Sequence, residues 1–365
     1  MHRACKLARR GEGFVEPNPM VGAVVANSDG KVLGEGWHQR FGSAHAEVHA
    51  LAMAGEAARD ATLFVTLEPC CHTGKTPPCT DAIVSAGIRR VVVAATDPFP
   101  AVSGKSISIL QQAGLQVDVG LLQHEAIRLT APFRMLTMAK RPWVIAKWAM
   151  TIDGYLAFPH VSTDGSGESH QYQWISSEVS RAIVHDLRRR VDAIVVGVQT
   201  ALADDPLLTA RPSGPRPLVR VVLDRQARLP VSSRLVQTAH EHPVLVAVGP
   251  RAAKDQVKQL QDNGCEIWHS STDQSSQMLI DLAHEFGARQ MTNVLVEGGA
   301  HVLESCFKAD IIDEVWAFLA PKLLDTNKPS LRLREILSNT RVEAIDQTGG
   351  DLFVRGLLRH DLLGR

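Results

Sequence analysis

The chain has 365 residues, 45% of them apolar, which is enough to bury full cores and a length that favours two ordinary domains over one. Its 39 Lys and Arg balance 39 Asp and Glu, so it lacks the global basic field that draws proteins onto nucleic-acid phosphates, and a small-molecule substrate is favoured. No apolar run approaches the roughly 18–20 residues needed to cross a bilayer, and the first residues carry basic groups without the apolar stretch of a secretory signal. The expectation is a soluble, cytoplasmic protein with neither membrane nor nucleic-acid partners.

Short apolar runs alternate with helical stretches from Met20 to about Val119. VGAVVA reads as a strand, AEVHALAMAGEAA as a helix, ATLFVTLE as a strand, DAIVSAG as a helix closed by Gly87, and RRVVVAA as a strand. This alternation predicts an α/β layer fold. TAPFRMLTMAKRP closes the region, and a domain boundary is expected near Lys140, giving domains 1–140 and 141–365. Alternation then restarts with a strand at 143–149, a helix around 177–190, and further strands in DAIVVGV, PLVRVVLD, PVLVAVG, TNVLVEGG and DEVWAFLAPKLL. The polar, Gly- and Ser-rich stretch 160–173 reads as a surface loop or a substrate lid.

Six cysteines stand at 5, 70, 71, 79, 265 and 306, too few for a secreted disulfide framework, yet three crowd into ten residues. AHAEVHA sets His45 and Glu47 at the start of a predicted helix, and EPCCHTGKTPPC sets Cys70 after a strand and Cys79 before a helix. One imidazole and two thiolates make a three-ligand zinc set with the fourth position left to water, and helix N-termini favour thiolate charge. A carboxylate that does not ligate the metal, Glu47, then has the type and place to carry protons from water to a departing amine, as in zinc deaminases. His45 and His49 share helical i, i+4 spacing, but a zincin needs Glu directly after the first His, where this chain has Ala46, so His49 reads as a packed or solvated helix residue. Cys71 could replace Cys70, but the Pro-Cys pairing favours Cys70.

These residues sit in longer segments that resemble the bifunctional riboflavin-biosynthesis deaminase/reductase family: NPMVGAVV, GEGWHQRFGSAHAEVHAL, VTLEPCCHTGKTPPCTDAI and TDPFPAVSGKSI in the first half, then AKWAMTIDGYLA, QWISSE, VGVQTALADDPLLTAR, VRVVLD, LVEGGA and APKLL. The insert CHTGKTPP between the two zinc cysteines is similar to that family and unlike the Pro-Cys-x-x-Cys of most base deaminases. The resemblance implies a cytidine-deaminase-like α/β/α layer domain followed by a dihydrofolate-reductase-like α/β domain, with one zinc ion in the first and NADPH in the second. No G-x-G-x-x-G follows a strand, so the nicotinamide cofactor is implied by the resemblance alone.

Carried over by position, the resemblance places deaminase substrate contacts on Asn18, His38, His72 and Lys75. Reductase cofactor contacts fall on Ala149, Trp174, Thr200, Asp204 and Gly299, and reductase substrate contacts on Ser169, Arg188, Leu208, Arg211 and Glu297. Arg188 opens a run of three arginines, of which only the first is a candidate phosphate clamp, the others reading as a solvated helix face. Asp204 and Asp205 read either as paired carboxylates or as turn and cap residues before Pro206. Lys147 and Asp153 flank the first reductase strand and are expected to face the reacting atoms. The chain departs from the family pattern with three extra residues, His170 to Tyr172, with Cys71 where a small residue is usual, and with Arg225 where a small hydroxyl residue is common.

The resulting expectation is a two-step enzyme. It deaminates 2,5-diamino-6-ribosylamino-4(3H)-pyrimidinone 5′-phosphate, then reduces the ribosyl group of 5-amino-6-(5-phosphoribosylamino)uracil to ribityl. The resemblance also implies a homo-oligomer, a dimer through the reductase domain. Two rivals stand beside this reading: a nucleic-acid base deaminase with an accessory domain, which needs a local basic face, and a structural zinc site completed by His72 or Cys71.

Overall fold

The computed structural model describes residues 1–72, 77–99, 103–156, 175–323 and 331–358. The chain divides into two compact units, one built on Met1–Pro142 together with Gly287–Thr292, the other on Trp143–Phe286 and Asn293–Arg359. Among the described residues no helix is long and apolar enough to cross a membrane.

The first unit contains α1 (His2–Ala8), β1 (Gly22–Ala26), β2 (Val32–Trp37), α2 (Ala46–Ala54), β3 (Thr62–Leu67), α3 (Cys79–Ser85), β4 (Arg90–Ala95), α4 (Lys105–Gln112), β5 (Gln116–Val119), α5 (Gln123–Leu129) and α6 (Ala131–Ala139). Its sheet has the order β2-β1-β3-β4-β5, antiparallel at β1–β2 and β1–β3 and parallel at β3–β4 and β4–β5. Period-two alternation sorts the strands onto two faces. Ala23, Val25, Leu63, Val65, Val91 and Val93 bury against Ala46, Ala50 and Leu51 of α2, Ile83 of α3 and Leu110 of α4, while Val24 and Phe64 face Ala4 and Leu7 of α1. The result is a helix–sheet–helix sandwich.

β2 has no counterpart in the sequence reading, because Gly34 and Gly36 dilute its apolar pattern. The same glycines are what the fold requires: a Cβ at Gly36 would lie 2.2 Å from the Ala46 carbonyl, and one at Gly34 would lie 2.1 Å from that of Ala50. Helix α2 therefore rests directly on strand backbone, which fixes the helix start that carries His45 and Glu47. Strand β5 is a second addition to the sequence reading. It is a four-residue edge strand, Gln-Val-Asp-Val, with no buried residue to mark it.

The second unit runs β6 (Trp143–Thr151), α7 (Glu178–Arg188), β7 (Ala193–Gly197), α8 (Val198–Asp204), β8 (Val219–Leu223), α9 (Arg234–Gln237), β9 (Val244–Val248), α10 (Lys254–Asp262), β10 (Glu266–His269), α11 (Ser275–Ala288), β11 (Asn293–Val296), α12 (Ala300–Lys308), β12 (Glu314–Ala320), α13 (Leu331–Ser338), β13 (Arg341–Thr348) and β14 (Asp351–Leu357). These form a nine-stranded sheet, β10-β9-β8-β7-β11-β6-β12-β14-β13, parallel from β10 to β12 and antiparallel at β12–β14 and β14–β13. Strands β7 and β9 are buried at every residue, the signature of a parallel sheet covered on both faces. The strand expected over DEVWAFLAPKLL stops at Ala320. The β13–β14 hairpin has no counterpart in the sequence reading, since β13 is exposed along nearly its whole length and shows no buried face.

Candidate metal centre and buried ion network

Three chain segments converge at one end of the first sheet. His45 is the N-cap of α2 and Glu47 lies in that helix's first turn. Cys79 opens α3, and Cys70 follows the end of β3. His45 Nδ1 lies 3.2 Å from Cys79 Sγ and 3.5 Å from Cys70 Sγ, and the Cys79 backbone N–H donates to Cys70 Sγ at 3.3 Å. Among the described residues this is the group of His, Cys and acidic side chains able to hold a metal ion, with all three donor atoms within 4.8 Å of one another. A tetrahedral zinc with ordinary Zn–S and Zn–N lengths sets its donors about 3.5 Å apart, so the set fits zinc in spacing and in softness. Cys71 and His49 are not in the cluster, as expected.

The ionisation of the group follows from its crowding. The Cys79 thiol donates to Cys70 and pulls its pKa down to about 4; burial opposes this and the His45 ring adds to it. Cys79, the donor, is pushed upward by that same hydrogen bond and by burial, so the pair shares one proton. His45 is raised, first by its hydrogen bond to Cys70. Glu47 is 3% exposed, and burial raises its carboxyl above the ordinary carboxylate value.

A cavity of about 330 Å³ opens on this cluster, with Asn18, His38, Phe41, Glu68, His72, Asp97 and Phe133 completing the wall beside His45, Glu47 and Cys70. Burial lowers the pKa of His38. In its neutral form, Nδ1–H donates to the Ala44 carbonyl at 3.2 Å and Nε2 accepts from Asn18 Nδ2 at 3.2 Å, so Asn18 and His38 act as one fixed pair. Asn18, His38 and His72 thus reach the same cavity, whereas Lys75 lies outside the described residues. Glu68, Asp97, Phe41 and Phe133 join the site without having been singled out by sequence reasoning. Glu68 and Asp97 stand inside the motif segments VTLEPC and TDPFP, which is the one signal that points to them.

The second unit gathers a different set. Arg188, at the end of α7, donates through Nε and Nη2 to both oxygens of Glu297 at 2.8 Å each, and through Nη1 to the Thr209 carbonyl at 3.3 Å. Lys147 of β6 reaches Glu297 at 3.8 Å. Burial would raise the Glu297 carboxyl, but Arg188 and then Lys147 outweigh it and hold the group below its ordinary value. Burial lowers the Lys147 ammonium. Arg188 thus directs its fork at protein acceptors, while Arg211 is exposed on the loop after Leu208, which itself adopts a left-handed φ of 53°. His185 senses both arginines: burial lowers its pKa first, then Arg188 and Arg211.

Two helix N-termini stand at the carboxyl ends of neighbouring strands β7 and β11. Thr200 lies in the first turn of α8, Gly299 is the N-cap of α12, and a Cβ on Gly299 would meet Thr200 Oγ1 at 3.6 Å. A Cβ at Gly298 would lie 2.5 Å from that of Val302, so glycine is needed for the tight entry into α12. Helix N-termini are places where phosphate groups can bind. Ala149 lies on β6 and Asp204 is exposed at the end of α8. Asp205 is the left-handed C-cap of α8 and accepts from the Arg234 N–H at 2.8 Å, which makes it a turn residue. Ser169 and Trp174 lie outside the described residues.

Residues 1–95 match the family model for the cytidine and deoxycytidylate deaminase zinc-binding region, and residues 142–354 match the RibD C-terminal domain. The riboflavin biosynthesis protein RibD of Aquifex aeolicus is 39% identical over 360 residues, covering 97% of this chain and 96% of its own length. The RibD protein of Escherichia coli is 37% identical over 349 residues, covering 91% and 89%. Among solved structures, RibD of Acinetobacter baumannii superposes with a TM-score of 0.79 at 32% identity over 98% of each chain. A Thermotoga maritima diaminohydroxyphosphoribosylaminopyrimidine deaminase/5-amino-6-(5-phosphoribosylamino)uracil reductase does so at 0.79 and 33%, covering 97% and 96%. The chain belongs to the RibD family of bifunctional deaminase–reductases of riboflavin biosynthesis.

Proposed function

We propose that residues 1–140 deaminate 2,5-diamino-6-ribosylamino-4(3H)-pyrimidinone 5′-phosphate and residues 141–365 reduce the ribosyl group of the deaminated product to ribityl. The observation that carries the first half is the convergence of His45, Cys70 and Cys79 beside the buried carboxyl of Glu47 in one cavity. His45, Cys70 and Cys79 would hold a zinc ion, which would supply Lewis acidity toward a water nucleophile. Glu47 would take a proton from the attacking water and give one to the leaving amine, so that the ring C–N bond breaks as a C–O bond forms and ammonia departs. The Asn18–His38 pair and His72 orient the pyrimidine and its ribosyl phosphate, with Lys75 as the cation for the phosphate.

In the second unit, NADPH supplies the hydride. Thr200, Gly299, Ala149 and Asp204 are its contacts, and Trp174 is assigned to it by the family resemblance alone. Arg188 and Glu297 form a donor and acceptor surface for the sugar phosphate, with Arg211 and Leu208 as further contacts, and Ser169 is assigned to the substrate by the family resemblance alone. The exposed edge hairpin, with Val342 48% and Ile345 63% exposed on β13, supports a homodimer formed through this unit. Both substrates are small molecules, and the working compartment is the cytoplasm.

The test is Glu47→Ala in the full chain. Deamination is expected to fall about a thousandfold, while zinc content and reduction of the deaminated intermediate stay at wild-type levels. Retained deamination would overturn the assignment.

A further inference from the structure

Glu68 is 4% exposed, stands two residues before Cys70, and directs its carboxylate hydrogen bonds away from the three candidate zinc ligands. That carboxylate is engaged instead by the chain that leaves the neighbouring strand β4. One oxygen accepts from the backbone N–H of Asp97 at 3.2 Å and of Gly104 at 3.0 Å, and the other from that of Ser106 at 3.2 Å. Gly104 is the N-cap of α4 and Ser106 lies in its first turn, so the carboxylate also satisfies that helix's open N-terminus from a distant part of the sequence. The Glu68 N–H donates to the Ala95 carbonyl at 2.9 Å, which ties the backbone of the same residue to the end of β4.

Asp97 is the residue this arrangement delivers. It lines the cavity beside Glu47 and His72, and its Oδ1 accepts from the Phe99 N–H at 2.8 Å. From the other side Arg134 of α6 donates to the Thr96 carbonyl at 3.1 Å. One buried carboxylate therefore ties the Asp97 amide to the start of α4, at a point only two residues from Cys70 along the chain. A charged acceptor taking three N–H bonds is a stronger brace than loop backbone makes for itself.

We propose that Glu68 is a positioning residue for the deaminase step: by holding the Asp97 and α4 amides it sets the Asp97 carboxylate as a specificity wall for the polar groups of the pyrimidine ribosyl substrate. The inference rests on the deaminase reading of this cavity. Glu68 acts through Asp97, so its loss is expressed in substrate binding and not in proton transfer by Glu47.

Full-length, zinc-loaded protein is compared as wild type, Glu68→Gln, Asp97→Asn and the double variant, with kcat and KM measured for deamination of the diaminopyrimidine phosphate. The amide introduced by Glu68→Gln matches the carboxylate in shape but offers a single oxygen acceptor. Glu68→Gln is expected to keep zinc at the wild-type level and reduction at the wild-type rate, to raise the deamination KM about tenfold or more, and to change kcat less than about threefold. The double variant is expected to be no worse than Asp97→Asn. Multiplied losses in the double variant, an unchanged KM, or loss of zinc from Glu68→Gln would each overturn the proposal. Hydrogen exchange on the wild type needs no variant: the Gly104 and Ser106 amides are expected to be protected, and rapid exchange at both would equally overturn it. An inert wild type would sink the deaminase reading itself, whereas an active wild type with any of those results sinks this inference alone.

Discussion

The metal centre of the first unit and the ion network of the second both withdraw ionisable side chains from water, and they meet the cost in different ways. At His45, Cys70 and Cys79 three donors crowd within 4.8 Å, and the strongest influences on the two thiols are their own mutual hydrogen bond and burial. Around Glu297 the counter-charges come from the chain itself: one carboxylate faces Arg188 through two 2.8 Å hydrogen bonds and Lys147 at 3.8 Å. The first arrangement is a donor set that a cation would complete. The second is preformed, and a half-buried group of that kind is costly mainly when one partner is removed.

The largest expected effect breaks the comparison at the metal. Chelation of zinc is expected to abolish deamination and to lower the melting temperature of the first unit, because an ion that binds the folded state alone stabilises it by several kcal/mol, about 4 kcal/mol at a thousandfold excess over Kd. Reduction of the deaminated intermediate and the melting of the second unit are expected to be untouched. Calorimetry with and without chelator checks this; a common shift of both transitions would contradict it.

Next comes Glu297→Gln, which leaves the half-buried Arg188 and Lys147 without their counter-ion. A loss of about 3–5 kcal/mol in second-unit stability is expected, together with loss of reduction, while zinc and deamination persist. The pH dependence follows from the same carboxyl. Because its folded pKa is depressed, the native state binds fewer protons than the unfolded chain, so Glu297 contributes stability above the ordinary carboxylate value that is lost as pH falls through its lower folded value. Second-unit melting is expected to drop on acidification below about pH 4.5, and to drop less in Glu297→Gln. Equal slopes for the two proteins would exclude Glu297 as the titrating group.

How much of this was legible in the sequence divides along the same line. The zinc set could be read because its chemistry is local to residue type: His45 and Glu47 open one helix, and two cysteines flank a proline-rich turn. The α/β alternation was readable for the same reason, since buried parallel strands such as Ala193–Gly197 carry uninterrupted apolar runs. Strand β2 was not, because its glycines serve the approach of α2 and contribute no pattern of their own. The Glu297 network was reachable only by resemblance. Lys147, Arg188 and Glu297 are scattered over 150 residues of sequence and meet through strand order, with β6 beside β11, which no local period encodes.

A smaller effect tests whether those β2 glycines matter to chemistry. In Gly36→Ala the new methyl must displace the Ala46 carbonyl at the start of α2, and a destabilisation of about 3 kcal/mol is expected. Since His45 and Glu47 ride on that helix start, deamination is expected to fall by more than stability alone explains, with reduction unchanged. Wild-type deamination in a folded Gly36→Ala protein would show that α2 is free to move without consequence.

The smallest effect lies within the run Arg188-Arg189-Arg190, where three identical side chains in sequence have unlike surroundings. Arg190 pairs with Asp186 at 2.9 Å and Arg189 with the same aspartate at 3.4 Å, and Asp186 is 54% exposed, so both pairs are screened by water. Arg190→Ala is expected to cost about 0.3–0.5 kcal/mol, with both activities retained. Arg188→Ala strands Glu297 against Lys147 alone and is expected to cost several times more and to stop reduction. Urea melts of the two variants give the ratio directly. Similar losses would mean that the position of Arg188 at the end of α7, facing β11, does not distinguish it from its neighbours, and the ion network would then carry no special share of the second unit's stability or chemistry.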